Sequence, residues 1–183
     1  MTLETRIDAA QFDTWVQTQF DRSYELIAGR VVEVVSNSPA SRIAFRIGGF
    51  LFVYLEKHPI GAATGADGGY VIGTERYIPD VGFIRHEHQV MDEGTGYYPV
   101  APDLAVEVIS NPRNLQELND LRVKIANYVA AGTLVWVVDP IENKVEVYQG
   151  TQPARIYAGD DILTAPDILP GFELKISDIF PKA

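Results

Sequence analysis

The sequence predicts an α/β fold, a mixed β-sheet flanked by helices, and three observations predict it. Two short and almost uninterrupted apolar runs, DLAVEVIS at 103–110 and LVWVVD at 134–139, have the length and β-branched content of buried strands. Between them Leu115, Leu118, Leu121, Ile125, Tyr128 and Val129 recur at helical spacing, and Gly132 ends the pattern. A strand, a helix and a second strand in that order call for a crossover unit, and sheets built from such units are covered on both faces.

The remaining elements follow from the amino terminus. Asp8 and Gln11 have the spacing of a capping box, and Phe12, Trp15, Val16 and Phe20 then follow at helical spacing. In YELIAGRVVEVVS, Gly29 separates two short apolar runs and predicts a hairpin. From Ser41 to Lys57 the residues Ile43, Ile47, Phe50, Leu51, Tyr54 and Leu55 mark a second helix, which Pro59 and Gly61 close. The glycine-rich GAATGADGGYVIG lacks the Gly-Lys-Ser/Thr ending of a phosphate loop and reads as strand and turn. RYIPDVGFI reads as one strand with Val81 and Phe83 alternating, and HEHQVMDEGTGYYPVAP as a long surface loop. KVEVYQ is a further strand, paired near LVWVVD through a turn at 140–143. The tail, with Leu163, Leu169, Phe172 and Ile179, reads as short packing segments, so residues 1–183 are expected to form one domain.

Composition narrows the function. With 46% hydrophobic and 22% charged residues, the 183-residue chain has the balance of a folded protein with a sizeable core. No apolar stretch approaches the roughly 20 residues of a membrane span and no signal-peptide pattern opens the chain, so a cytoplasmic location and no membrane partner are expected. The absence of cysteine excludes disulfides, thiolate metal sites and cysteine nucleophiles. His58, His86 and His88 form no HExxH pattern. A net charge of −10 argues against broad, charge-driven attraction to nucleic acid. It does not exclude a nuclease, because a site that holds a divalent cation is itself acidic and the cation then supplies positive charge. Arg42, Arg46, Arg113, Arg122 and Lys124 are candidates for a local basic rim.

Glu107 carries the most information. It interrupts the run Leu104 to Ile109, where both strand faces are apolar, and a carboxylate there must be neutralised, paired with a helix-borne cation, turned outward at an edge, or bound to metal. Asp80 follows Pro79 at a strand start; a Pro-Asp step alone is usually a turn, but two carboxylates from buried strands supply the oxygen ligands that Mg²⁺ accepts. Lys124 has a plain reading as the surface partner of Asp120, four residues earlier, yet it flanks the apolar seam of Leu121 and Ile125 and so can lean toward Glu107. A cation there orients an attacking water and offsets transition-state charge. Glu25 is a fourth candidate, whose plain reading is an exposed hairpin residue. Asp103 and Asp139 flank strands and read as strand-end or capping groups.

The order of YELIAGR, YIPDVGFI, PDLAVEVIS, then Asp120, Lys124, Tyr128 and Gly132, then WVVDP, resembles the Uma-two family, classed with restriction endonucleases in the PD-(D/E)XK nuclease superfamily. The resemblance runs from about Tyr24 to Asp139, with a weaker echo in LPGFEL and DIF. It implies a restriction-endonuclease-like mixed sheet and Mg²⁺-dependent cleavage of DNA phosphodiesters, with Mn²⁺ as a substitute, in a homodimer. By the same resemblance Asp80 and Glu107 are metal ligands, the backbone carbonyl of Val108 is a third, and Glu25 supports the site. The superfamily lysine ordinarily stands two residues after the second acid, where this chain has Ile109, so Lys124 on the next helix is its counterpart. One departure is that SPASRIAFR holds no histidine where the family's second helix begins; Arg42 lies nearby. Two rival readings are a non-catalytic binding module that keeps the fold and a metal-dependent phosphodiesterase acting on RNA or small nucleotides.

Overall fold

The computed structural model describes residues 6–91 and 96–180. Its centre is a six-stranded sheet in the order β10-β9-β8-β7-β6-β3, where β3 is Gly61–Thr64, β6 Val81–Arg85, β7 Leu104–Val108, β8 Leu134–Asp139, β9 Lys144–Tyr148 and β10 Arg155–Ala158. All neighbours are antiparallel except β7 and β8, which run parallel with Glu107 opposite Val137. The helix α3, Leu115–Ala130, makes that crossover, as the strand-helix-strand spacing predicts. Its first turn is capped by Asn114, whose side chain accepts from the backbone of Gln116 and Glu117.

Alternation along the central strands sorts side chains into two cores. Leu104, Val106 and Val108 of β7, with Leu134, Trp136 and Val138 of β8, pack beneath α2 (Ser38–Lys57) and the carboxy-terminal segments. Ala105, Val135 and Val137 face the other way, toward α3 and a second sheet. That second sheet has four strands in the order β2-β1-β5-β4, where β1 is Tyr24–Ile27, β2 Arg30–Glu33, β4 Tyr70–Ile72 and β5 Glu75–Tyr77. Glu107 therefore sits on the face that meets α3 and β1.

Several elements differ from the sequence reading. The first helix, α1, covers Ala9–Val16 behind the expected capping box, but stops before Phe20, which is fully solvated. The Thr18 backbone and hydroxyl both donate to the Trp15 carbonyl, a local alternative that ends the helix. RYIPDVGFI is two strands in two sheets, divided at Ile78–Asp80, rather than one. The expected loop after β6 opens with a single 3-10 turn, His86–His88, and its residues 92–95 lie outside the described residues. The tail is more than packing segments. Arg155–Ala158 joins the main sheet beside β9, and β11 (Ile162–Ala165) pairs with β12 (Leu169–Lys175) before the short helix α4, Ile176–Ile179. The β1–β2 hairpin forms as expected, with Ile27 opposite Arg30 and the turn residues Ala28 and Gly29 both at positive φ (51° and 77°).

Candidate functional site

The break at Ile78–Asp80 places the first carboxylate. The antiparallel register of β6 and β7 pairs Val81 with Val106. One step further along that register Asp80 comes opposite Glu107, and residues directly opposite share a face. The Asp80 carboxylate also reaches across to β7, where its Oδ2 accepts from the Val108 amide at 2.7 Å. Both acids thus project from the face that carries Ala105 and Val137, and neither is sealed from the other by the sheet.

Lys124 enters from α3. It is buried, and its Nζ lies 2.7 Å from Glu107 Oε1 and 2.7 Å from Glu25 Oε1. The surface pair with Asp120 does not form. Asp120 is taken instead by Arg30 on β2, in a close ion pair, and by Gln116 Nε2 at 2.9 Å. Glu25 is likewise no exposed hairpin residue: its Oε1 also accepts from the Ile78 amide at 2.7 Å, which ties β1 to the segment leading into Asp80. Tyr128, one turn beyond Lys124, donates to Glu107 Oε1 at 3.2 Å. The Tyr77 ring lies 5.6 Å from the Lys124 ammonium and edge-on to Tyr128. A cation over an aromatic face, walled by a second ring, is held in a desolvated setting.

These side chains line a cavity of about 490 Å³ between the β1–β2 hairpin, the ends of β6 and β7, and α3. Its walls carry the carboxylates of Glu25, Glu33, Asp80, Glu107, Glu117 and Asp120 and, among the described residues, only two cations, Arg30 and Lys124. Burial, followed by the neighbouring carboxylates of Glu25 and Asp80, pushes the Glu107 carboxyl up to about 8 against the opposing pull of Lys124. Asp80 is also raised, by burial first, while its bond from Val108 and the Lys124 charge pull the other way. For Lys124 burial works to lower the ammonium's pKa, but Glu107 and Glu25 together outweigh it and the group stays charged.

All five residues singled out in the sequence, Glu25, Asp80, Glu107, Val108 and Lys124, thus line one cavity. The expected basic rim does not gather there. Arg42 is solvent-facing on α2, Arg46 donates to the Asp178 carbonyl, and Arg122 pairs with Asn119. Arg30 was not foreseen, since a hairpin arginine after a turn gives no sign of its partner. Glu117 was also missed; its Oε1 accepts from the Ser110 hydroxyl at 2.6 Å and the Asn111 amide at 3.0 Å, fixing the loop between β7 and α3. Asp103 and Asp139 lie elsewhere, as expected. Asp103 holds Arg85 and His88, and Asp139 caps the turn at Ile141 and Glu142. No histidine lines the cavity.

Residues 9–177 match the family Uma2, described as "Putative restriction endonuclease". The chain belongs to that family. Among solved structures, a protein of Anabaena variabilis described as a "putative nuclease belonging to DUF820" shares the fold at a TM-score of 0.80. It is 20% identical, and the superposition covers 95% of this chain and 97% of that one. A search of curated proteins finds no match. Membership supports a nuclease family fold and the resemblance carried by the motif order. No described helix is long and apolar enough to cross a membrane.

Proposed function

We propose that the protein is a Mg²⁺-dependent endonuclease that hydrolyses DNA phosphodiester bonds in the cavity bounded by Asp80, Glu107 and Lys124. One observation carries the reading: each acid is held by one of its oxygens and keeps the other uncommitted. Asp80 Oδ2 is fixed by the Val108 amide, and Glu107 Oε1 by Tyr128 and Lys124. Among the described residues Asp80 Oδ1 and Glu107 Oε2 accept no hydrogen bond. Two pre-oriented carboxylates with free oxygens, on one face of adjacent strands, fit a hard divalent cation. Among the described residues no three His, Asp or Glu side chains gather at one point, so the remaining positions fall to the Val108 carbonyl, water and substrate. That sparse protein set suits Mg²⁺, which keeps several waters, and Mn²⁺ in its place.

When bound, the ion supplies Lewis-acid polarisation of a phosphoryl oxygen and a more acidic water. The chain's own residues do the rest. The Lys124 ammonium has three donors, of which Glu25 and Glu107 take two, leaving one for a water or phosphate oxygen in the cavity. Held rigidly, that donor stabilises charge that develops on the phosphate. Glu25 is a positioning residue: it fixes Lys124 and, through Ile78, the approach to Asp80. We propose further that the nuclease acts as a homodimer in the cytoplasm.

Calorimetry with Mn²⁺ and Mg²⁺ tests the metal, with binding expected in the parent protein and lost in Asp80→Ala. Assays on duplex DNA, single strands and RNA, side by side, test the substrate, with duplex DNA expected to be cut. The excess of carboxylates in the cavity favours one second reading, a nuclease fold retained as a binding module. Failure of both cations to bind, together with no cleavage of any of these substrates, would leave only that reading.

A further inference from the structure

The outer face of α2 is apolar, solvent-facing and self-complementary. Phe45, Phe52 and Val53 are 83%, 61% and 57% exposed, an arrangement with no role in the chain's own core. Between them lies Gly49, and an added Cβ there would meet nothing within 4 Å. Gly48 differs: it faces Val81, and an added Cβ there would meet that side chain at 3.7 Å, an ordinary packing distance inside the fold. A glycine in an exposed helix interior weakens the helix, and at position 49 the fold itself gains nothing in return. What the missing side chain does provide is room for another backbone to come close.

From the structure we infer that this face pairs with the same face of a second copy, the two α2 helices crossing antiparallel with Gly49 on the two-fold axis. Helical geometry sets the partners, because on an antiparallel pair a residue before the axis meets the one equally far beyond it. Arg42 then faces Glu56 of the second copy, Phe45 faces Val53, and Arg46, whose Nε donates to the Asp178 carbonyl, stands opposite Phe52. Each contact occurs twice. All of these positions fall on one stripe centred on Gly49 at the helical repeat. The charge signs match: Arg42 and Glu56 stand at opposite ends of the stripe, both exposed, and neither has an ion-pair partner among the described residues. A parallel pair would set Arg42 against Arg42 and Glu56 against Glu56, so the charge pattern selects the antiparallel arrangement. Each α2 begins at the cavity rim, where Asn37 donates to the Ser110 carbonyl. The pairing sets the two α2 amino termini ~33 Å apart.

The inference rests on the homodimer reading but not on the chemistry, and the experiments separate the two. The chain has no cysteine, so Gly49→Cys introduces a single thiol on the proposed axis. Mild oxidation is expected to give a disulfide-linked dimer with that variant and not with a single cysteine at Glu142, on the turn after β8. Light scattering and sedimentation on the parent protein are expected to show a dimer at micromolar concentration. Arg42→Glu and Glu56→Arg are each expected to weaken it roughly tenfold, and the double reversal to restore it, a rescue that only self-pairing produces. Phe45→Lys is expected to yield a monomer that still unfolds in one cooperative transition, lowered only by the lost association energy. A parent protein that stays monomeric overturns both the dimer and the face. A dimer indifferent to Phe45→Lys and to the charge reversals overturns the face alone.

Discussion

Within the cavity, Glu25, Asp80 and Glu107 line the wall around one cation, Lys124, which pairs with Glu25 and Glu107 only, and this imbalance separates residues that stabilise the fold from those that burden it. Lys124 compensates two buried carboxylates at once. Removing one partner of a buried ionic group leaves uncompensated charge, so Lys124→Met is expected to lose about 3–5 kcal/mol of stability. Glu107 is the opposite case. Its burial disfavours the charged form, and Lys124 keeps Glu25 when Glu107 is gone. In EDTA, Glu107→Gln is therefore expected to unfold at the parent temperature or above it. On the proposed mechanism the same variant should cut DNA at least ~100-fold more slowly, since an amide nitrogen replaces one carboxylate oxygen and the negative charge is lost. Urea titrations and cleavage rates on both variants check the contrast. A stability loss in Glu107→Gln as large as that in Lys124→Met would show a structural ion pair in place of a site held ready for a cation.

At the level of elements, the β1–β2 hairpin forms one wall of the cavity and its turn has an avoidable strain. Ala28 sits at φ 51°, in the left-handed region where a Cβ is crowded, and its amide donates to Glu75 Oε2 at 2.7 Å. Ala28→Asn keeps that donor and matches the Asn-Gly preference of the tight hairpin turn. It is expected to add about 0.5–1 kcal/mol, read as a rise in unfolding temperature of roughly 1–4 °C. A lower unfolding temperature would mean that the turn is fixed by its contact with Glu75 and not by its own geometry. The hairpin itself was legible because Gly29 divides two apolar runs. The crossover β7-α3-β8 was legible for the same kind of reason: apolar periodicity reports burial directly. Division of RYIPDVGFI between two sheets was not, since a backbone that changes sheets without a glycine turn leaves no local mark beyond Pro79. Nor was the β11–β12 hairpin, whose alternating half-buried strands carry a weak pattern in a short segment. Glu107 could be picked out because charge interrupts an apolar run, Asp80 as a strand-start carboxylate that gains meaning beside Glu107, and Lys124 because it flanks the seam of Leu121 and Ile125. Glu25 needed the family resemblance, and Arg30 had no signal, because ion pairs between distant segments depend on tertiary placement.

For the molecule as a whole, the charge of −10 sets how a nucleic acid can be engaged. Affinity for phosphates ordinarily comes from lysines and arginines that release counterions, and among the described residues the cavity offers only Arg30 and Lys124 against six carboxylates. Both cations already have partners, Arg30 in Asp120 and Lys124 in Glu25 and Glu107. Without a divalent ion the cavity repels a polyanion; with one, that repulsion is offset in part and the phosphate gains a direct cationic contact. Binding to a duplex oligonucleotide, followed by fluorescence anisotropy, should accordingly be undetectable in EDTA and appear on adding Ca²⁺, a hard cation that takes the same oxygen ligands as Mg²⁺ with looser geometry. The salt dependence should be shallow, since few protein cations displace counterions: the slope of log K against log salt is expected between about −1 and −3 per chain. Metal-free binding with a slope steeper than about −5 would place the contact on a basic surface outside the cavity, and Asp80, Glu107 and Lys124 would then no longer mark where DNA is held.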